Sequence, residues 1–256
     1  MTYEIPMNEV TKEFAECWRS AGLHLNEMAS ALKKRQFGYF NASLAPPFLE
    51  HLSFRVGNKI YFVCLADIDQ SLTCPTGVDQ TIYAAELARG VPCVLPMRKT
   101  SEGWKPVNES WGLVHAHTSE LIDPAKLITD EPVAMSEWEI QDFAVQIVRS
   151  DLEAKGHQIL SNNSHPNVNP SLFFVNEHQE KCFVQVLPGV FPNNPLVNRA
   201  NLERLKRSLD EHSDRGFYAP VKLLGEEILN TRGEAIQELF RGFPLSVSYD
   251  GLIEIT

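Results

Sequence analysis

Few side chains in this chain are spaced for chemistry. The sharpest run is Phe62-Val63-Cys64-Leu65-Ala66-Asp67-Ile68-Asp69-Gln70-Ser71-Leu72-Thr73, an apolar segment that ends in two carboxylates two residues apart. Its plainer reading is a strand end whose two solvated aspartates precede a Pro75-Thr76-Gly77 turn. His115 and His117 alternate on an expected strand, so they face one side and could share a metal, but no third ligand is identifiable. Half-exposed polar positions explain them more simply. Trp104, Trp111 and Trp138 fall around the expected domain junction, where they either pack an interface or offer an aromatic patch to a ligand; they are the candidate binding residues. No serine stands in a G-x-S-x-G elbow, and no Gly-rich phosphate loop is present.

Taken alone, the Asp67 run resembles the first motif of the haloacid-dehalogenase-like phosphatases, an apolar strand followed by D-x-D-x-(T/S)-L. That resemblance implies Asp67 as a nucleophile, Asp69 as general acid and base, and a magnesium ion between them. The family's later acidic motif has no clear match here, and the corresponding loop further along the chain, Leu187-Pro188-Gly189-Val190-Phe191, lacks a carboxylate. The order of elements is also similar to the core of restriction-endonuclease-like proteins, which need an aspartate after a proline and then an acid and a lysine two apart on the next strand. In the second half those places read Asn169-Pro170-Ser171 and Gln185-Val186-Leu187, uncharged throughout; in the first half Glu50 and Asp67 supply acids without a suitably placed lysine. Finally, size, acidity and element order look like the small acidic chaperones of bacterial secretion systems, a link that no residue motif carries.

The elements that must position these residues come in two series. Met7-Asn8-Glu9, Glu13-Phe14-Ala15 and Arg19-Ser20 are answered by Met135-Ser136-Glu137, Asp142-Phe143-Ala144 and Arg149-Ser150, at an offset of about 128 to 130. Lys59-Ile60-Tyr61-Phe62-Val63 is answered by Lys181-Cys182-Phe183-Val184, and helical patterns that stop at Gly90 and Gly216 follow. Glu120-Leu121-Ile122-Asp123 resembles Gly251-Leu252-Ile253-Glu254. The expectation is a tandem duplication of an α-β-β(-β)-α-β-β unit, with domains 1–130 and 131–256 joined through Asp123 to Pro132 and packed as a pseudo-dimer.

The clearest single element is a helix from Ser136 to about Lys155, with an apolar stripe at Ile140, Phe143, Ala144, Ile147, Val148 and Leu152. Ser136 is its N-cap, Glu139 returns a hydrogen bond to the cap, and Gly156 ends it in the left-handed conformation. Strands are expected at Leu49 to Val56, Lys59 to Ala66, Pro92 to Met97, Ser171 to Val175, Lys181 to Leu187 and Phe217 to Leu223. Helices are expected at Val78 to Arg89 and Val197 to His212, with a further one over Glu226 to Phe240.

Composition narrows the function. A formal charge of −10 argues against a protein built to grip phosphate backbones, and the basic cluster Arg199, Arg204, Lys206 and Arg207 is broken by Glu203. No run approaches the ~18 apolar residues of a membrane span, and the N-terminus lacks a basic start followed by an apolar stretch. Five cysteines without a C-x-x-C pair fit small core residues of a reducing compartment. The sequence therefore favours a cytoplasmic α+β protein without catalysis or cofactor of its own, binding another protein in a chaperone-like or regulatory role; a homo-oligomer is left open. The rival is a magnesium-dependent phosphoryl-transfer or nuclease-like enzyme with Asp67 and Asp69 as metal ligands.

Overall fold

The computed structural model describes residues 10–33, 36–44, 51–69, 72, 74–225, 228–229, 235–236 and 238–255. The chain divides into two compact units, Met1–Val133 and Ala134–Thr256. Both are mixed α+β, and the described residues hold four α-helices and two separate multi-stranded sheets.

The first unit opens with α1 (Lys12–Ala29), whose N-cap Thr11 accepts a hydrogen bond from Phe14 N. Then come β1 (Phe37–Asn41), β2 (Ser53–Val56), β3 (Lys59–Asp67), α2 (Val78–Leu87), β4 (Val91–Thr100), β5 (Gly103–Pro106), β6 (Leu113–His115) and β7 (Leu121–Ile122). β1, β2 and β3 form an antiparallel meander; α2 then carries the chain back so that β4 lies parallel to β3. The sheet order is β1-β2-β3-β4-β6-β7, with β5 paired to β4.

A strand between two helical layers must be apolar on both sides, and β3 is buried at six successive positions. Tyr61, Val63 and Leu65 meet Phe14, Cys17, Ala21 and Leu25 of α1 in one core cluster. The alternate residues Ile60, Phe62 and Cys64 are buried on the opposite face, where α2 packs on β3 and β4.

The second unit begins with α3 (Glu137–Ala154). Its cap forms as the sequence implies: Ser136 Oγ accepts from Glu139 N, Glu139 Oε2 accepts from Ser136 N, and Gly156 takes φ 82°. There follow β8 (Gln158–Asn162), β9 (Leu172–Val175), β10 (Lys181–Val190), α4 (Arg199–Leu209) and β11 (Arg215–Gly225), then β12 (Ile228–Leu229), β13 (Ala235–Ile236), β14 (Leu245–Ser248) and β15 (Ile253–Glu254). β8, β9 and β10 are an antiparallel meander and β11 lies parallel to β10. Cys182, Val184, Val186, Ala219, Val221 and Leu223 face α3 in the main core, while Phe183 packs with Leu202 of α4 in a smaller cluster.

Two expectations are revised. The helix over Glu226 to Phe240 is replaced, where that stretch is described, by strand pairing of Ile228 with Ile236 and Leu229 with Ala235. The expected strand from Leu49 is formed only from Ser53; Leu49 and Glu50 lie outside the described residues.

Candidate functional site

The carboxyl end of a parallel strand pair is where α/β sheets commonly open a crevice. In the first unit that end carries Asp67, half-buried, and Asp69, exposed. Asp67 Oδ1 accepts the Asp69 backbone N–H at 3.0 Å and Oδ2 accepts that of Leu72 at 3.1 Å. Its carboxylate thus folds its own loop, as Asx side chains do when they bond the backbone two residues on.

Behind the loop, His51 is wholly buried, with Nδ1 2.7 Å from Thr76 Oγ1 and the ring edge-on to Phe14. Burial holds its pKa down at about 4. Cys64 and Cys74 lie beside it in the chain's path, and burial pushes their thiols up to about 11 and about 12, which removes them as nucleophiles near neutral pH. Among the described residues no three His, Cys, Asp or Glu side chains come together as metal ligands. Glu50, the other candidate acid, falls outside the described residues.

In the second unit the two places singled out by element order do converge. Gln185 Nε2 lies 3.5 Å from Ser171 Oγ, and Gln141 of α3 reaches the same hydroxyl at 3.4 Å. Both amides also donate to Val186 O at 3.3 Å, and Val186 N donates to Ser171 Oγ at 3.2 Å. All three side chains are buried, none is ionisable, and Gln185 Oε1 has no hydrogen-bond partner among the described residues. Such a hub fixes strand register but holds no ionisable group to act as a base.

Close to it in sequence stands a residue that the sequence reading missed as part of a pair. Glu139 meets Arg241 in a bidentate ion pair, both contacts at 2.8 Å, with side-chain exposures of 6% and 2%. The cap signal found Glu139; nothing local to Arg241 announces a partner 102 residues away.

The tryptophans lie in the cores. Trp104 and Trp111 belong to the main core cluster of the first unit, and Trp111 stacks on Phe54 with the rings 5.9 Å apart and 12° from parallel. Trp138 is 4% exposed and stands edge-on to His165 at 5.1 Å. A ligand-facing patch needs open ring faces, and these three residues do not present them.

His115 and His117 have ring centroids 5.8 Å apart, but His115 Nδ1 already accepts the backbone N–H groups of His117 and Thr118 at 3.3 Å. His115 instead lines an open cleft of the first unit, about 600 Å³, between the β6–β7 hairpin and the short 3-10 turn Pro124–Leu127. Val91, Leu113 and Ile122 give it an apolar floor, and among the described residues that line it Glu109, Glu120 and Asp123 stand against a single cation, Lys126.

The fold and these sites define a two-unit α+β protein whose second unit carries an uncharged polar hub. A family described as a domain of unknown function (DUF8840) matches residues 138–255, most of that second unit. No curated protein and no solved structure matches the chain.

Proposed function

We propose that this chain is a non-catalytic protein-binding protein, chaperone-like or regulatory, made of two copies of one α+β unit. One observation carries the reading: Asp67, the acid best placed for chemistry, has both oxygens engaged by its own loop, while Ser171 and Gln185 of the second unit are neutral and buried. The five unpaired cysteines support a reducing, cytoplasmic setting, and no helix among the described residues is long and apolar enough to cross a membrane.

The test is a set of thermal melts of wild type and Asp67→Asn, each with and without millimolar Mg²⁺ or Mn²⁺. A ligand that binds only the folded state must raise the melting temperature. The expected result is no metal-dependent shift in either protein. A rise in wild type that vanishes in Asp67→Asn would establish the rival, a metal-dependent phosphoryl-transfer or nuclease-like enzyme, and end the binding-protein reading.

A further inference from the structure

We propose that the cleft of the first unit is the docking site for an extended basic peptide segment of another protein; this rests on the binding-protein reading above and names its partner's chemistry. Four features converge there. The volume of about 600 Å³ is in the range of ligand sites, and the floor of Val91, Leu113 and Ile122 is apolar. β7 is the last strand of its sheet, so the outward backbone edge at Leu121 is available for strand addition. The leucine side chain at that edge is 71% exposed, an apolar contact for the added strand.

Charge then selects the occupant. Asp123 is spent within the protein: Oδ1 accepts the Ala125 N–H at 3.1 Å and Oδ2 lies 3.3 Å from Lys126 Nζ. That pair engages the lysine of the cleft and, among the described residues, leaves Glu109 and Glu120 without a cationic partner, Glu120 Oε2 accepting only from Thr118 Oγ1 at 3.3 Å. His115 adds a directional group. Because Nδ1 accepts two backbone N–H groups, the neutral ring carries its hydrogen on Nε2, as a donor for a peptide carbonyl. A strand with Lys or Arg opposite Glu120 and an apolar residue opposite Ile122 satisfies all of these groups at once. An acidic segment would meet two like charges.

The experiment uses the full chain and a fluorescein-labelled peptide that repeats Lys-Thr-Val-Thr, so that lysine and valine stand two residues apart on one face, with its glutamate counterpart and spermidine as competitor, read by fluorescence anisotropy. Hydrogen exchange of the complex locates the contact. The lysine peptide is expected to bind with an affinity that falls several-fold as salt rises from 0.05 to 0.5 M. The same peptide should protect the amides at Leu121 and Ile122, and lose at least tenfold in affinity to Glu109→Lys/Glu120→Lys. Both substituted residues are exposed, so an unchanged melt confirms that the variant is folded. Equal binding of the glutamate peptide, protection elsewhere, no binding, or spermidine competing as well as the unlabelled peptide would each overturn the proposal. Cross-linking keeps its failure separate from that of the broader reading. A protein partner held equally by wild type and by the double variant removes the cleft and leaves the binding reading intact, whereas Mg²⁺-dependent stabilisation through Asp67 removes the reading itself.

Discussion

The two units run the same course of helix, three-stranded meander, helix and parallel strand, yet they handle buried polarity in opposite ways. In the first unit the polar end of β3 is ionisable, and its charge stays near water: Asp67 is half-buried and bonded to backbone N–H groups of a surface loop. In the second unit the loop that corresponds to Asp67, Leu187 to Phe191, has no carboxylate, and the buried polar site two residues before it is made of amides and a hydroxyl. The difference follows from solvation. A carboxylate can remain charged at a rim, but in the interior an ionised group is tolerated only with a full complement of partners. The second unit supplies that complement once, in Glu139 and Arg241, where two guanidinium contacts and the Ser136 cap saturate the carboxylate.

That pair gives the largest expected effect. Arg241→Ala leaves Glu139 buried and uncompensated, which costs about 3–5 kcal/mol when one partner of a buried ion pair is removed. Hydrogen exchange should show β10 and β11 of the second unit opening far more readily, while β3 and β4 of the first unit keep their protection. Replacing both members together, Glu139→Gln with Arg241→Met, should recover much of the loss, because no lone charge then stays inside. Equal loosening of both units by Arg241→Ala would show that their stabilities are not separable in this way.

The next contrast is pH. His51 in the first unit has a folded pKa held down at about 4 against an ordinary 6.5, so the unfolded chain takes up its proton first as pH falls. Stability from this group is full above about 6.5 and is lost progressively toward pH 4, on the order of 2–3 kcal/mol. Asp142 in the second unit goes the other way. Burial raises its carboxyl from 3.8 to about 6, with Glu139 adding to the rise and Ser164, Gln146 and Arg149 opposing it. The folded form therefore binds the proton more tightly, and stability from this group is present at low pH and lost as pH rises through about 6. His165, whose pKa burial lowers, opposes Asp142 within the same unit. Between pH 6.5 and 4 the first unit should lose protection steeply, and the second should lose less because its Asp142 and His165 act in opposite directions. Asp142→Asn should make the second unit more acid-sensitive, since the opposing contribution of the Asp142 carboxyl is then removed. Parallel pH profiles for the β3 and β10 amides would break the comparison.

What the sequence made legible was whatever is written in short range. Ser136, Glu139 and Gly156 mark α3 because cap and stop signals act within one turn, and the β3–α2–β4 and β10–α4–β11 crossovers show as apolar runs followed by helical stripes, although α4 ends at Leu209 and Gly216, the expected stop, lies inside β11. Those glycines also make close contacts: a Cβ at Gly90 would come within 2.8 Å of the Phe62 ring, and one at Gly216 would strike Phe183. The edge strands β1 and β8 escaped notice because none of their residues is fully buried and both are short runs that mix apolar and polar residues or glycine. The expected helix after β11 failed for a related reason. A short apolar stretch carries no reliable period, and pairing between Ile228–Leu229 and Ala235–Ile236 outweighed local propensity. Of the candidate site, Ser171 and Gln185 were found through element order. Arg241 and the cleft were not, since both depend on partners distant in sequence or on shape.

The smallest effect is expected where the same chemistry as the Glu139–Arg241 pair lies on the surface. In the first unit Lys99 Nζ meets Glu13 at 2.5 Å, a shorter contact than either one to Arg241, yet the two side chains are 55% and 40% exposed. The carboxylate raises the Lys99 pKa, chiefly through the hydrogen bond and then through charge, but water and salt screen an exposed pair and ordering two long side chains offsets what remains. Glu13→Gln should leave the denaturation midpoint unchanged within error, at low and at high salt alike. A loss approaching that of Arg241→Ala would mean that distance rather than burial sets the worth of an ion pair in this protein. The physical contrast between the two units would then rest on their buried polar hubs alone.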